Sequence, residues 1–128
     1  MARVLWLSHL VPHPPKGGVL QRSYHLLRAA AAGHDVDLVA FRQRAFHRDA
    51  AELEASVAAL SELVRVRGVV ELPVDRSRLA RARLLATSAF TPAPYSVRWN
   101  RAREMERVLQ QLLARERYDL VHFDAVGM

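Results

Sequence analysis

The sequence predicts an α/β domain built on a doubly wound parallel sheet of about four strands, in the order 3-2-1-4. Two observations lead to this fold class. Four short apolar runs of the kind that form buried strands alternate with longer segments whose apolar residues recur at helical spacing. The chain has 128 residues, of which 51% are hydrophobic and 25% charged, so one domain with its own core is expected.

The first strand–helix–strand unit is predicted over residues 4–41. Residues 4–8 are a short apolar run, and the proline- and glycine-rich residues 12–18 are a loop. Helical spacing begins at Val19, and Gly33 is placed to end the helix. Residues 35–41 read as a second strand, which should lie parallel to the first. The predicted buried face of the helix consists of Val19, Ser23, Leu26, Leu27, Ala30 and Ala31.

A second helix and a third strand follow. Asp49 is the predicted N-cap of the helix, because a carboxylate at that position accepts hydrogen bonds from the first-turn amides. Residues 68–72 are the predicted strand, which Pro73 stops. The apolar stripe of the helix consists of Leu53, Val57, Leu60 and Val64.

The last part of the chain repeats the alternation. Residues 75–90 are a predicted helix whose four arginines scatter around its axis, and residues 91–95 are a loop. Residues 118–123 are the fourth predicted strand. Between them lies the clearest helical stripe in the chain, formed by Met105, Val108, Leu109, Leu112 and Leu113.

The predicted strand order places a ligand crevice between the first and fourth strands. Open α/β sheets bind ligands at the carboxyl ends of their strands, where the strand order reverses. Two segments flank that point, namely residues 8–18 and whatever follows Phe123.

The glycine pair Gly17 and Gly18 is a candidate phosphate-binding loop. Glycines let the backbone approach an anion closely, the amides that open a helix carry partial positive charge, and Lys16 adds a full charge. Any sharp turn from strand to helix also favours glycine, and spacing alone weighs these two interpretations evenly. A dinucleotide fingerprint, a P-loop and a phospho-acceptor receiver domain are excluded by their missing motifs.

Acidic and histidine side chains supply the other candidates. Asp124 follows the fourth strand directly and is suited to act as a general base or to orient a hydroxyl, although a loop acid or helix cap fits equally well. His9, His13 and His122 have no accompanying carboxylate pattern, so no metal site is predicted. His122 in mid-strand is typical of a core histidine. The Asp35-x-Asp37 pair opens a strand and is interpreted as a solvated loop edge.

Charge and composition limit the classes of binding partner but do not identify one. The 19 basic and 13 acidic side chains give a net charge of +6, and the absence of cysteine excludes disulfides and thiolate chemistry. Few aromatic residues and no recognition motif disfavour nucleic acid. The arginines between residues 76–83 and 98–107 are candidates for contact with an anionic membrane surface. No span or signal peptide is evident, so a cytoplasmic chain is expected.

Three segments resemble the N-terminal domain of GT-B glycosyltransferases, close to glycosyltransferase family 4. Residues 4–30 contain the first strand, the Lys16-Gly17-Gly18 loop and the start of its helix, and they are the most specific part. Residues 118–124 are a second carrying stretch. Residues 94–98 are similar to bacterial sugar transferases of exopolysaccharide clusters.

The resemblance implies a Rossmann-like three-layer sandwich that binds the acceptor, with 1–128 as a single N-terminal domain truncated before a donor-binding C-terminal domain. The donor would be a nucleotide-diphosphate sugar, without a metal or other cofactor, and the acceptor a glycan, a lipid-linked or a small molecule. Gly17 and Gly18 would reach the donor diphosphate. Tyr95 and Arg98 are candidate contacts to the acceptor, and His122 is a further candidate substrate-binding residue. Family members often carry a histidine where this chain has Asp124, which leaves the catalytic base open.

Two alternatives remain at the level of sequence. In the first, the chain is a stand-alone α/β module that binds a phosphorylated or anionic ligand without catalysis. In the second, it is a structural domain with an empty cleft. By the glycosyltransferase hypothesis, the isolated chain should be inactive, since it lacks the donor-binding half. Retaining stereochemistry is implied by the family alone.

Overall fold

The computed structural model describes residues 1–72, 78–88 and 103–124. Within these ranges, four strands and four helices alternate almost throughout. In chain order they are β1 (Arg3–Ser8), α1 (Gly17–Gly33), β2 (Asp35–Arg42), α2 (Ala50–Ser61), β3 (Arg65–Glu71), α3 (Arg78–Ser88), α4 (Arg103–Arg115) and β4 (Leu120–Asp124).

The sheet is parallel and has the order β3-β2-β1-β4, as the sequence predicts. Alternate residues of the central strands point to opposite faces, and both faces are apolar. On one face Trp6 and Leu38 pack with Leu27 of α1 and Leu60 of α2. On the other face a second cluster brings β1 and β2 against Met105 of α4. Helices therefore cover both sides of the sheet, and the Rossmann-like three-layer arrangement is confirmed.

The start and the buried face of α1 differ from the prediction. The helix begins at Gly17, two residues before Val19. Its buried residues are Leu20, Ser23 and Leu27, whereas Val19 is 50% exposed and Leu26 is 46% exposed. Neighbouring apolar residues offer the helix two competing stripes, and contact with the sheet selects one of them.

The end of α1 is placed correctly at Gly33, but its backbone is not the expected left-handed cap. The only described glycine with a positive φ is Gly17. Instead, His34 caps the helix in an extended conformation, with its N–H donating to the carbonyl of Ala30 at 3.0 Å.

The other predicted boundaries shift by a few residues. Asp49 caps α2 as predicted, since its Oδ1 accepts the N–H of Glu52 at 2.8 Å. Strand β3 begins at Arg65 rather than Gly68. The prediction missed these first residues because two of the three are charged and do not form an apolar run. Strand β4 begins only at Leu120 and extends to Asp124, so Tyr118 lies before it.

The interpretation of Asp37 as a solvated loop edge is wrong. The residue is fully buried, with 0% exposure, and its carboxylate is enclosed by cations from β1 and β3. Oδ1 accepts from Arg65 Nε at 2.5 Å, and Oδ2 accepts from Arg67 Nε at 3.0 Å. Arg3 Nη2 lies 3.6 Å from Oδ2. The pairing of β2 with β3 brings these arginines to the start of β2, which no local pattern indicates.

Tyr118 completes this cluster, since its hydroxyl donates to Asp37 Oδ2 at 2.7 Å. Burial together with this hydrogen bond raises the pKa of Tyr118 to about 12. Burial alone would raise the pKa of Asp37, but the hydrogen bonds from Tyr118, Arg65 and Arg67 outweigh it and lower that pKa below its ordinary value. Asp37 is therefore a buried, ionised anchor at the amino edge of the sheet.

Within the described ranges, no helix combines the length and apolar character that a membrane crossing requires.

Candidate functional site

The carboxyl ends of β1 and β4 lie side by side. The two strands are paired in parallel, with Ser8 opposite Asp124 and Trp6 opposite His122. Strand β1 has β2 on its other side, so the strand order reverses at this point. The structure thus brings the end of β4 next to the loop that leads into α1, where open α/β sheets hold ligands.

Asp124 is the last residue of β4 and is buried, with 3% exposure. Its Oδ1 lies 3.3 Å from Nη2 of Arg22, and the hydroxyl of Ser8 lies 3.5 Å from its Oδ2. Its backbone carbonyl accepts from His9 Nδ1 at 3.0 Å. An ionised carboxyl group has about four acceptor positions, and the contacts with Arg22 and Ser8 use two of them.

Arg22 is a site residue that sequence reasoning missed. It lies one turn beyond Gly18 on α1, outside the predicted buried face, and its guanidinium remains partly exposed while it holds Asp124. Its spacing could have indicated this position in the sequence, because Arg22 follows Gly18 by four residues and residues four apart share one side of a helix.

The glycine loop forms the first turn of α1 rather than a segment preceding it. Lys16 is the N-cap residue in an extended conformation, and its own side chain makes no capping hydrogen bond. Gly17 has a φ of 76°, and no acidic residue lies in the first turn. The first amides of a helix lack partners within the helix, so this end is left free to bind an anion.

His122 lies in the middle of β4 and is half-buried. Its ring centroid is 3.9 Å from that of Trp6, with the planes tilted by 32°. It shares a face of the sheet with Asp124, two residues along the strand. The packing on Trp6 gives His122 a structural role, and its substrate-binding role stays a prediction.

The remaining predicted candidates are not brought together. Tyr95 and Arg98 lie outside the described residues. His9 and His13, which share a loop, turn to different partners, since Nδ1 of His13 lies 3.2 Å from Ser56 Oγ on α2. Among residues 1–72, 78–88 and 103–124, no three histidine or carboxylate side chains form a cluster suited to a metal ion.

Comparison with protein-family models, with curated proteins and with solved structures returned no match.

Proposed function

We propose that this chain is the acceptor-binding half of a nucleotide-sugar-dependent glycosyltransferase. The observation that carries the proposal is the buried Asp124 at the end of β4, held by Arg22 of α1 beside an uncapped helix start. The resemblance of residues 4–30 and 118–124 to GT-B glycosyltransferases supports it. The donor would be a nucleotide-diphosphate sugar bound mainly by a C-terminal domain, with a glycan or lipid-linked acceptor on this half.

In this proposal Asp124 accepts a hydrogen bond from the acceptor hydroxyl and takes its proton as the new glycosidic bond forms. Arg22 fixes the carboxylate so that its free lone pairs face the crevice. The first amides of α1, with Gly17, Gly18 and Lys16, stabilise the charge that develops on the departing diphosphate. Tyr95, Arg98 and His122 are the proposed substrate contacts outside this centre.

A cytoplasmic location at the inner face of a membrane belongs to the same proposal. Helix α3 supports it, because Leu79 is 78% exposed and Leu85 is 57% exposed beside several exposed arginines. An apolar and cationic helix surface of this kind favours anionic lipid. Sedimentation with vesicles of anionic lipid, but not of neutral lipid, is the expected result.

The test of the transferase proposal begins with the reading frame that contains this chain. We expect it to continue beyond Met128 into a second Rossmann-like pattern, and the full product to transfer sugar from a nucleotide-sugar to a saccharide or lipid-linked acceptor. Asp124→Asn should reduce the rate by roughly 10²- to 10⁴-fold, as loss of a general base does. The control is Asp35→Asn, an exposed carboxylate at the opposite edge of the sheet.

Two outcomes would overturn this proposal. Robust sugar transfer by residues 1–128 alone would refute the division between acceptor and donor halves. Full activity of Asp124→Asn would remove Asp124 from the chemistry.

A second candidate function is a non-catalytic module that binds a phosphorylated or anionic ligand. The uncapped start of α1, with Gly17 in a left-handed conformation and no acid in the first turn, favours it. Tight binding of inorganic phosphate to the isolated chain, abolished by substitution of Gly17 and Gly18, is expected from the module. Such binding is not required by the acceptor half.

A further inference from the structure

A cleft opens between the loop that follows β1 and the loop that follows β2. It has a volume of about 420 Å³ and is lined by apolar, polar and aromatic residues from both loops, from α1 and from α2. This volume is in the range of small-molecule sites. Asp124 and Arg22 do not line it. The lining residues that matter for its chemistry are His13, Lys16, Phe46, His47, Glu52 and Ser56.

The hydrogen bonds of His13 determine which of its ring nitrogens carries the proton. The hydroxyl of Ser56 donates to the backbone carbonyl of His13 at 3.0 Å, and the same oxygen lies 3.2 Å from Nδ1 of that ring. A serine hydroxyl has a single hydrogen. Both contacts are satisfied together only when Nδ1–H of His13 donates to Ser56 Oγ. In the neutral ring, Nε2 is then an unprotonated acceptor.

The surroundings of His13 keep its ring neutral. Burial lowers the pKa of His13, and the nearby His47 lowers it further. Nε2 of His13 has no hydrogen-bond partner within the part of the chain that the structure describes. The ring is thus a positioned acceptor for which the described residues supply no donor.

His47 anchors the same loop from the other side. It is buried, with 1% exposure, and its Nε2 donates to the backbone carbonyl of His13. Its Nδ1 is buried and has no hydrogen-bond partner among the described residues. The two loops are therefore held together at one carbonyl, and two imidazole nitrogens have no partner in the described part of the chain.

Two other side chains add an apolar surface and a charge to the cleft. Phe46 is 42% exposed, which leaves a ring surface free to contact a ligand. Lys16 is exposed, and no carboxylate of the described residues forms an ion pair with it. Glu52 also lines the cleft, and its Oε2 accepts the backbone N–H of Arg48 at 3.1 Å.

We infer that this cleft binds a small aromatic anion that carries a hydroxyl or N–H donor. The donor bonds to His13 Nε2, the aromatic ring contacts Phe46, and the anionic group pairs with Lys16. The inference goes beyond the proposed transfer reaction, because it concerns a cleft that Asp124 does not line. Lys16 belongs both to this cleft and to the proposed diphosphate contacts.

The first measurement is the tautomer of His13 in the 128-residue chain, from two-bond ¹H–¹⁵N correlations of the histidine rings. The expected spectrum at neutral pH shows His13 protonated on Nδ1 and unprotonated on Nε2. The signal is assigned by its loss in His13→Asn. A ring protonated on Nε2 would overturn the inference, because no acceptor would then face the ligand.

The second measurement titrates three matched probes and follows the His13 signals. The probes are 4-hydroxyphenyl phosphate, 4-methoxyphenyl phosphate, which lacks the donor, and hydroquinone, which lacks the anion. We expect the first probe to bind roughly three- to tenfold more tightly than the second, as one added hydrogen bond allows. No saturable change of the His13 signals with the first probe would contradict the proposed site.

Variants separate the two polar contacts. Asn in place of His13 keeps an N–H close to the position of Nδ1 but lacks Nε2, so His13→Asn should abolish the preference for the hydroxyl probe. Lys16→Gln should weaken both phosphates and leave hydroquinone unchanged. His25→Asn, on the exposed face of α1, is the control and should bind like the unsubstituted chain.

An unchanged preference in His13→Asn would refute the role of Nε2. If that variant does not fold, the tautomer and the probe series in the unsubstituted chain still decide. Neither measurement depends on sugar transfer, so failure here and failure of the transferase proposal are distinguishable.

Discussion

Three arginines and a tyrosine surround the buried carboxylate of Asp37, and Glu116 extends the cluster. Glu116 lies 2.8 Å from Arg3 and 3.3 Å from Arg67 through its two carboxylate oxygens. A buried charge is tolerated only when it is paired and hydrogen-bonded, and removal of one partner leaves the others uncompensated. Asp37 therefore connects β1, β2, β3 and the segment before β4.

Substitution of Asp37 by Asn should destabilise the chain by about 3 kcal/mol at pH 7, near the lower end for a broken buried pair because the arginines are partly exposed. The pKa of Asp37 is lowered by folding. Its contribution is therefore present above the carboxyl pKa of the unfolded chain, about 3.9, and is lost as pH falls toward the lower folded value. Urea unfolding at pH 7 and at about pH 3 should show a difference between unsubstituted chain and variant that shrinks in acid.

The control for this prediction is Asp35→Asn, because Asp35 is an exposed carboxylate on the same strand. It should change the free energy of unfolding by less than about 0.5 kcal/mol. An equal loss in both variants, or a loss from Asp37→Asn that does not depend on pH, would argue against an ionised anchor.

Gly17 and Gly18 should respond in opposite directions to substitution by Ala. Gly17 has a φ of 76°, and an added Cβ meets no atom within 4 Å, so Gly17→Ala costs only conformational strain, about 1 kcal/mol. Gly18 has equally open surroundings without a positive φ. Gly18→Ala should stabilise by about 0.5 kcal/mol through the unfolded chain. Chemical denaturation of both variants decides, and the same sign for both would exclude this explanation.

At the scale of whole elements, contact with the sheet decides what the local pattern leaves open. Helix α4 packs where β3 passes closest to it. A Cβ added to Gly68 would approach Cγ1 of Val108 to 3.2 Å, so the Val108 side chain would have to shift by a few tenths of an ångström. The stripe of α4 is clear in the sequence, and Met105, Val108, Leu109 and Leu112 take part in the core as predicted. Leu113, the fifth residue of the predicted stripe, is 53% exposed.

Helix α2 begins where Asp49 caps it, and this cap should contribute measurably to stability. Asp49→Ala should cost about 1 kcal/mol, because the N–H of Glu52 loses its acceptor. Asp49→Asn, which keeps a side-chain oxygen at the cap, should stay within about 0.5 kcal/mol of the unsubstituted chain. Thermal unfolding followed by circular dichroism compares the three, and equal losses for Ala and Asn would assign the effect to charge instead.

The sequence predicts the elements better than their edges, for reasons visible in two of them. Apolar residues lie side by side in α1, at Val19-Leu20 and Leu26-Leu27, so periodicity alone is compatible with two buried faces. The start of β3, Arg65-Val66-Arg67, alternates charged and apolar residues, and its strand character depends on pairing with β2. In both cases the deciding interaction comes from a distant element.

In the whole molecule, the two ends of the parallel strands carry different groups of charged residues. The amino edge holds the Asp37 cluster, and the carboxyl edge holds Asp124, Arg22 and the start of α1. In the register of the sheet, Asp37 lies opposite Leu5 and Asp124 opposite Ser8, on either side of β1. Three residues along a strand and two strand spacings across separate the Cα atoms of these two residues by about 14 Å.

At this separation the two carboxylates should act independently. The loss of stability in the double variant Asp37→Asn/Asp124→Asn should equal the sum of the single losses within about 0.5 kcal/mol. Urea unfolding of the four proteins measures the coupling. A coupling free energy above about 1 kcal/mol would mean that the edges communicate through β1.

The sequence by itself determined the fold class, the strand order and the position of Asp124 at the ligand-binding edge, because these follow from local periodicity and from the regular geometry of parallel sheets. Only the tertiary structure decided that Asp37 is buried, that Arg22 holds Asp124, and that Ser56 orients His13. Those partners are separated by 28 to 102 residues along the chain. Contacts at such separations are set by which elements pack together, which spacing within one segment does not encode.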